Sequence, residues 1–393
     1  MTEYINIKDN MLNCFKGNTP KYVVKSNTLV LNQKCIRNNV IDFSLAQYTE
    51  DKCTNENKIL RLGDLIINST GQGTAGRCAY VSELPNTKVT VDSHMLIVRF
   101  NNKDLSKFFS YFLYKNEELM LTLLTGSSGQ GEFDKERAFN IKFPYCNENK
   151  EIFCKIFDAI ADKIQLNNKI NAELENMAKT LYDYWFVQFD FPDENKRPYK
   201  SANGKMVYNE VLKREIPDGW EVKKLTDVFN TYQPKTISDK ELISDGKYFV
   251  YGANGIIGKY NLYNHQNSEI YITCRGASCG NIGRTLPNSW ITGNAMVVQP
   301  KMDYMCNEYI YQHLRYLNMQ KAISGSAQPQ ITRTNLNVFN IIIPSKEILT
   351  TYREIIQPII SYKLNAIKEN ENLADIRNFL LPLLMNGQVS IQD

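Results

Sequence analysis

The sequence predicts an α+β protein built as a pseudo-twofold repeat, with two similar β-rich domains separated by two long antiparallel helices that form a coiled-coil-like spacer. One observation is a recurring stretch: Gln130, Phe139-Asn140-Ile141 and Pro144 reappear as Gln330, Phe339-Asn340-Ile341 and Pro344, at an offset of 330 − 130 = 200. The other is that each copy leads into a long run of apolar residues at helical spacing. Two copies of the repeat indicate that the two halves of the chain have similar functions.

The repeat extends upstream with a slowly growing offset, as expected after a duplication followed by small insertions and deletions. The further pairs are Gly76-Arg77 with Gly283-Arg284, and Phe15 and Pro20-Lys21 with Phe229 and Pro234-Lys235. Such a repeat is far longer than the roughly 20 to 50 residues of solenoids and propellers, and each copy can bury its own core. Two domains of one type are therefore predicted.

The composition is that of an ordinary globular protein: 393 residues, 43% hydrophobic and 22% charged. The N-terminus has no basic region followed by an apolar run, and no stretch of about 18 uncharged apolar residues occurs. Neither secretion nor a membrane span is predicted, and the cytoplasm is the expected location. The net charge of +4 permits binding to a polyanion without requiring it.

Nine scattered cysteines without a CxxC pair indicate reduced thiols rather than a disulfide framework. Cys274 and Cys279 share the second half of the chain with His265 and His313, but their spacing matches no common zinc module. No metal site is therefore predicted. With only three histidines in the chain, acid–base chemistry also has few candidates.

Two segments predict long helices. Between residues 150 and 187, apolar residues recur every three or four positions without a proline or glycine, and a helix of this length would span roughly 57 Å. Its counterpart covers residues 346 to 385, where Pro358 and Pro382 predict an early kink and a frayed end.

Polar residues interrupt the apolar stripes of both helices, at Asn167, Glu371 and Asn378. In paired helices such positions commonly fix the register at some cost in stability. We therefore predict that the helices pair with each other as an antiparallel spacer. The alternative is that each helix packs only on its own domain.

Short strands and turns are predicted elsewhere, with β-like runs at 64–68, 94–100, 269–273 and 295–298. Asn254-Gly255 lies between two apolar runs and predicts a hairpin, since both residues tolerate positive φ. The polar segment 190–205 is typical of a linker. Four segments follow: a first domain over 1–149, a central helix over 150–189, the linker and second domain over 190–345, and a C-terminal helix over 346–393.

Two motifs resemble cofactor or catalytic sites without matching their context. The stretch 71–76 fits the GxGxxG pattern of dinucleotide-binding proteins, but the residues after it are strand-like, so no helix N-terminus would meet a phosphate. The stretches 192–196 (PDENK) and 217–223 (PDGWEVK) resemble the PD and ExK halves of a nuclease core. A metal-dependent nuclease needs two carboxylates from separate strands, however, and each set here lies within seven residues of one linker or strand entry. No P-loop and no Asp/Asn-Pro-Pro-aromatic tetrad of adenine methyltransferases occurs, so catalysis is expected in another chain.

Loops that combine glycine with amide, hydroxyl and cationic side chains occur at corresponding places in both copies. Such a loop lets the backbone approach DNA closely, while glutamine can pair with adenine and arginine with guanine or phosphate. The alternative is an ordinary solvated loop, although the recurrence of Gln130 as Gln330 favours function. The candidate DNA-contacting residues are Ser69, Thr70, Gln72, Thr74, Arg77, Ser127, Ser128, Gln130, Lys135 and Arg137 in the first copy, and Arg275, Ser278, Asn281, Arg284, Ser326, Gln328, Gln330, Thr332 and Arg333 in the second.

The order of these features resembles the specificity subunit of type I restriction-modification systems over essentially the whole chain. The stretches that carry the resemblance are 216–225 (IPDGWEVKKL), 251–258 (YGANGIIG), 276–284 (GASCGNIGR) and 174–186 (LENMAKTLYDYWF). None is an active-site motif. The first copy lacks the Pro-x-Gly-Trp opening, which leaves the fold of residues 1–30 open.

The resemblance implies a non-catalytic subunit that recognises a bipartite, asymmetric sequence in double-stranded DNA, one half-site per target-recognition domain, with the helices as a ruler. It also implies two modification subunits that dock on the helices and methylate adenine with S-adenosylmethionine, and two restriction subunits, dependent on ATP and Mg, that can join for cleavage. No cofactor is expected on this chain itself. Two alternatives stay open: a self-contained restriction nuclease or methyltransferase, and a helical scaffold that binds no DNA.

Overall fold

The computed structural model describes residues 3–51, 55–71, 73–125, 132–145, 150–253, 255–276, 278–325, 328–385 and 388. Contacts divide the chain into two units: unit 1 comprises Met1–Gln165 and Asn370–Asp393, and unit 2 comprises Leu166–Glu369. Each unit therefore contains one copy of the sequence repeat together with half of each long helix. The helices are divided between the units rather than standing apart as segments of their own.

Unit 1 is rich in short strands, as the sequence predicts. Its strands are β1 (Glu3–Ile5), β2 (Met11–Lys16), β3 (Tyr22–Val23), β4 (Thr28–Leu31), β5 (Ile36–Arg37), β6 (Val40–Ile41), β7 (Gln47–Thr49), β8 (Leu65–Asn68), β9 (Cys78–Tyr80), β10 (Lys88–Val91), β11 (Met95–Phe100), β12 (Leu124–Thr125), β13 (Glu132–Phe133) and β14 (Phe143–Tyr145). Its helices are α1 (Ile7–Asn10), α2 (Lys103–Lys115), α3 (Glu117–Leu121), α4 (Lys135–Phe139), the first half of α5 (Lys150–Tyr182) and the last part of α8 (Lys346–Met385).

Unit 2 has a similar make-up. Its strands are β15 (Met206–Asn209), β16 (Arg214–Pro217), β17 (Glu221–Lys224), β18 (Phe229–Tyr232), β19 (Tyr248–Gly252), β20 (Gly255–Tyr260), β21 (Ile270–Thr273), β22 (Ile282–Arg284), β23 (Trp290–Ile291), β24 (Ala295–Pro300) and β25 (Asn340–Ile343). Its helices are the end of α5, which Asp183–Val187 continue as a π-helical turn, α6 (Leu225–Val228), α7 (Asn307–Tyr316) and the first part of α8 (Lys346–Met385).

The same antiparallel sheet forms the centre of each unit. Its strand order is β2-β11-β8-β9 in unit 1 and β18-β24-β21-β22 in unit 2. The register shows which residues correspond: Ile97 lies opposite Phe15, and its equivalent Val297 lies opposite Tyr232. The sequence pairing of Phe15 with Phe229 is therefore wrong by three positions.

The central strand of each sheet is buried on both faces over its first four residues, 95–98 and 295–298, which explains why these residues are all apolar. In β11, Leu96 and Val98 face one hydrophobic cluster, while Met95 and Ile97 face another. Strand β24 of unit 2 is likewise shared between two clusters. The sequence identifies these strands because burial on both faces favours a run of consecutive apolar residues.

The two long helices pair in an antiparallel manner within unit 2. The buried Asn167 of α5 donates from Nδ2 to Glu369 Oε2 of α8 at 2.8 Å, and Glu175 further along α5 forms an ion pair with Lys363. Residue numbers rise along α5 as those of the contacted residues fall along α8, so the helices are antiparallel. This confirms the predicted pairing, and it gives Asn167 the polar contact that its place in the apolar stripe predicts.

The remaining halves of these helices share the core of unit 1. Phe153 and Phe157 of α5 lie in the same buried cluster as Leu381 and Leu384 of α8. Helix α8 is continuous through both of its prolines as far as Met385. Each helix thus packs on a domain as well as on its partner helix.

Unit 1 opens like unit 2 although it lacks the Pro-x-Gly-Trp motif. Strand β1 pairs antiparallel with β14, as β17 pairs with β25. A short helix follows this strand in both units, and the first residue of the helix, Ile7 or Leu225, is fully buried. Residues 3–16 therefore adopt the same strand-helix-strand order as their counterparts, which answers the question that the sequence leaves open.

Candidate nucleic-acid interface

In unit 2 the structure joins the two loops that the sequence singles out. Arg275, which follows β21, forms an antiparallel bridge with Gln330. The adjacent backbone nitrogen of Ile331 donates to Cys274 O at 3.0 Å, and Gln330 and Ser324 exchange two backbone hydrogen bonds of 2.9 Å. We call the described residues of 275–281 and 324–333 the loop edge of unit 2.

Unit 1 contains the same junction. Thr70 bridges Glu132 in antiparallel orientation, and the Phe133 nitrogen donates to Ser69 O at 2.7 Å. We call the described residues of 70–77 and 132–137 the loop edge of unit 1. The bridge places Glu132 where unit 2 has Gln330, so the sequence pairing of Gln130 with Gln330 does not give the structural counterpart.

Glycines with positive φ shape both Gly-rich loops. Gly71 (φ +104°) and Gly276 (φ +90°) begin the turn, and Gly76 (φ +85°) and Gly280 (φ +94°) end it. The nitrogens of Gly76 and Gly280 each donate at 2.8 Å to the last residue of the preceding strand. Gly76 therefore corresponds to Gly280, and its sequence pairing with Gly283 is wrong by three positions.

The loop of unit 1 leads directly into strand β9 rather than into a helix. A dinucleotide site of the GxGxxG type needs a helix N-terminus at this place to meet the pyrophosphate. The expectation that the pattern fails in its context is therefore confirmed.

Several predicted residues are accessible on the loop edges. Those exposed to solvent are Arg275, Asn281, Gln328, Gln330, Thr332 and Arg333 in unit 2, and Lys135 and Arg137 on α4 in unit 1. Thr70, Thr74 and Ser278 are half-buried, and the Ser278 hydroxyl donates to Ala253 O of the β19–β20 hairpin at 2.8 Å. The loop edges thus present amides, hydroxyls and cations together.

Other predicted residues are engaged inside the protein. Ser69 is buried, and the Arg284 guanidinium forms an ion pair with the buried Glu308 and lies 4.7 Å from the centroid of the Tyr311 ring. Arg77 Nε donates to Glu117 Oε1 at 3.0 Å. Ser69 is withdrawn from solvent, and the Arg284 guanidinium is held by Glu308 and Tyr311, so the structure does not offer either side chain for the predicted DNA contact. Gln72, Ser127, Ser128, Gln130 and Ser326, and Asn254 of the predicted hairpin turn, lie outside the described residues.

The structure also brings two residues to the loop edges that the sequence interpretation does not include. His94 and Asn294 are exposed at the turn that enters the central strand of each unit. The backbone oxygen of each accepts a hydrogen bond from the residue that begins the Gly-rich loop, Ser69 at 2.8 Å and Cys274 at 3.0 Å. Their offset of 294 − 94 = 200 equals that of the strongest repeat match and could have identified them.

A buried acid lies at the start of β8 and of β21, but its partner differs between the units. In unit 1 Asp64 binds both Nε and Nη2 of Arg99 at 2.8 Å. In unit 2 the corresponding acid is Glu269, and its partner at the same register is the neutral amide of Gln299. Burial raises the pKa of Glu269, and the hydrogen bond from Gln299 offsets this only in part.

The residues that resemble nuclease or zinc sites form local pairs instead. Asp193 binds Arg197, and Asp218 binds Lys205 at 2.9 Å, which lowers the pKa of each carboxyl. Burial lowers the pKa of His313 to about 4. Within the described ranges, no group of three His, Cys, Asp or Glu side chains could hold a metal ion.

Comparison with known proteins adds to this geometry. The family model of the type I restriction modification DNA specificity domain matches residues 3–176 and again 217–375. The chain is 26% identical to the type I restriction enzyme MjaIX specificity subunit of Methanocaldococcus jannaschii, over 72% of this chain and 69% of that protein. It is also 26% identical to the HindI specificity subunit of Haemophilus influenzae, over 84% of this chain and 88% of that protein.

The fold is similar to a crystal structure of the type I restriction-modification S subunit from M. genitalium, with a TM-score of 0.51 and 14% sequence identity over 100% of this chain and 97% of that one. Among the described residues, no helix has the length and apolar character needed to cross a membrane. The two family matches coincide with the two copies of the central sheet and its loop edge. The chain therefore belongs to the type I restriction-modification DNA specificity family, whose domain it carries twice.

Proposed function

We propose that this protein recognises a bipartite DNA sequence, with unit 1 binding one half-site and unit 2 the other. The observation that carries the proposal is the recurrence of the loop edge, in which the same two segments are joined by the same backbone bridge in both units. A protein that uses one surface twice can contact two successive stretches of duplex. The side chains on the two edges differ, so the half-sites differ and the target is asymmetric.

The chemistry of the loop edges suits base and phosphate contacts. In unit 2, Gln330 lies opposite Arg275, and an amide can pair with adenine while a guanidinium can pair with guanine. In unit 1, Lys135 and Arg137 are exposed cations on the short helix beside the edge and suit phosphate oxygens. Base selection would then come from the amides, the hydroxyls and Arg275, and orientation from the other cations.

The helix pair would hold the half-sites at a fixed spacing and recruit the catalytic subunits. Apolar side chains are exposed along it, at Ile170, Met177 and Tyr362 in unit 2 and at Ile376 and Phe379 in unit 1. Such side chains suit helical partners, in this case two adenine methyltransferase subunits. This chain carries no catalytic step and binds no cofactor; S-adenosylmethionine, ATP and Mg act in the modification and restriction subunits, and a DNA partner implies the cytoplasm.

The proposal is tested by selecting duplexes from a randomised library with the purified protein, alone and with its methyltransferase partner, and sequencing the bound fraction. A target with two separated half-sites is expected, together with a steep fall of log affinity with log salt. Gln330→Ala should relax one half-site only. Gln188→Ala, which alters an exposed glutamine outside the loop edge, is the matched control.

The same preparation separates the alternatives. Cleavage or methylation by the chain alone, with magnesium, ATP and S-adenosylmethionine, would show an enzyme rather than a recognition subunit. Binding without sequence preference, or equal relaxation of both half-sites by Gln330→Ala, would contradict recognition by separate units.

A further inference from the structure

The tight turn that enters the central strand carries an exposed polar residue in both units. The Met95 nitrogen donates to Asp92 O at 3.2 Å, and the Ala295 nitrogen donates to Thr292 O at 3.0 Å. His94 and Asn294 occupy the same exposed position of these equivalent turns. The same exposed position beside both loop edges therefore offers a polar side chain to a ligand.

Backbone hydrogen bonds fix this turn against the loop edge. The residues that donate to His94 O and Asn294 O are Ser69 and Cys274, each one residue before the bridge residue of its unit. The turn, the Gly-rich loop and the segment that bridges it therefore lie side by side. His94 and Asn294 extend each loop edge by one further side chain.

The side chain of His94 is held in place by a chain of hydrogen bonds. Its Nδ1 lies 2.8 Å from Thr70 Oγ1, which in turn lies 2.8 Å from Gln33 Nε2. Gln33 Nε2 also donates to the Thr70 carbonyl oxygen, which can only accept, so the amide nitrogen is the donor to Thr70 Oγ1 as well. The Thr70 hydroxyl therefore accepts from Gln33 and has its own proton free to donate to His94 Nδ1. In the tautomer that uses this donor, the imidazole proton lies on Nε2, where it can be offered to a ligand.

We propose that His94 and Asn294 are base-contacting specificity residues, one for each half-site. This inference rests on the proposed function. His94 Nε2 would donate to an acceptor of a base edge, such as N7 or O6 of guanine, and the Asn294 amide would pair with N6 and N7 of adenine.

A base contact is favoured over a phosphate contact for two reasons. Neither residue is an arginine or a lysine, while Arg333, Lys135 and Arg137 are exposed on the same edges and can supply the phosphate contacts. The imidazole is also oriented by a hydrogen-bonded neighbour, and a fixed direction matters for a base edge more than for a phosphate, which accepts donors over a wide range of angles.

The test compares His94→Ala and Asn294→Ala in the library selection described above, with the full chain. His94→Ala should reduce discrimination at one base pair of the first half-site by roughly tenfold and leave the second unchanged, and Asn294→Ala should do the reverse. Thr70→Val, which removes the hydroxyl that orients the imidazole, should give a smaller effect at the same base pair as His94→Ala. His94→Asn, the residue type of unit 2 at this position, should change the preferred base there rather than only weaken it.

Two outcomes would overturn the inference. One is a uniform loss of affinity across all sequences with a smaller salt dependence, which is the signature of a phosphate contact. The other is unchanged discrimination in both alanine variants, with unchanged circular dichroism showing that they are folded. Gln330→Ala and Lys135→Ala show whether this inference or the proposed function has failed. If these two variants impair DNA binding while His94→Ala and Asn294→Ala do not, only this inference fails. If none of the four variants changes DNA binding, the proposed function fails as well.

Discussion

Replacing Arg99 by glutamine should destabilise unit 1, because it removes the cation from a buried acid. The Arg99 side chain is 9% exposed and that of Asp64 is 2% exposed. Arg99 Nε and Nη2 each donate to Asp64 at 2.8 Å, and Nη2 also donates to Ile59 O at 3.0 Å. Unit 2 shows that an amide fits this register, since Gln299 occupies it there.

The expected loss is about 3 kcal/mol. Removing one partner of a buried ion pair costs about 3–5 kcal/mol, because the remaining charge is left without compensation. The new amide can return one hydrogen bond to the charged acid, worth about 1.5 kcal/mol or more. The hydrogen bonds from Arg99 to backbone carbonyls are lost in addition, so the net effect stays near the lower end of the first range.

Hydrogen exchange measured by mass spectrometry can localise the effect to one unit. A loss of about 3 kcal/mol corresponds to roughly 150-fold faster exchange through opening of unit 1, because each 1.4 kcal/mol is a factor of ten. Peptides from β8 and β11 should show it, while peptides from β21 and β24 serve as an internal control.

A second variant tests the cause. Asp64→Asn combined with Arg99→Gln should recover part of the loss, since the pair then contains no buried charge. Unchanged exchange of β8 and β11 in Arg99→Gln would refute the reasoning. So would a double variant whose loss of stability, relative to the unaltered protein, equals the sum of the losses in Arg99→Gln and Asp64→Asn measured singly.

Glu269→Gln should stabilise unit 2 at neutral pH. Because the pKa of Glu269 is raised, the folded state keeps a proton that the unfolded state releases. The stability from this group is therefore greatest below the ordinary glutamate pKa, and it falls as the pH rises through the raised value. Urea midpoints measured across this range should lose that slope in the variant, and equal slopes would contradict the assignment. Gly76→Ala should lower the free energy of unfolding by more than the roughly 1–2 kcal/mol that a left-handed alanine costs, since the new Cβ would lie 2.7 Å from Met120 Cβ. Gly73→Ala is the control, because its Cβ would meet open space. Equal loss of thermal stability in the two variants would count against the clash. Asn167→Ala should cost about 1 kcal/mol by removing the buried amide contact between the helices, and an unchanged melting midpoint by circular dichroism would show that the contact contributes nothing.

Much of the candidate site was predictable as segments but not as contacts. The Gly-rich loops and the segments before Phe139 and Phe339 are identified by composition and recurrence, and the structure joins them in both units. Which side chains remain accessible was not predictable: Arg333 is exposed, while Arg284 lies against Glu308. Both arginines have similar sequence surroundings. Their accessibility differs because helix α7, which carries Glu308, packs against β22, where Arg284 lies.

The amino-acid sequence alone determines the duplication, the two long helices and the apolar runs of the central strands. Helical periodicity and a run of apolar residues are both patterns among residues that are close together in the chain. The correspondence of Gly76 with Gly280, the bridge from Thr70 to Glu132 and the place of His94 beside the loop were decided by the tertiary structure. These contacts depend on the register between strands and turns that are far apart in sequence. A shift of a single residue, too small to see in a diverged repeat, changes which side chain reaches the surface.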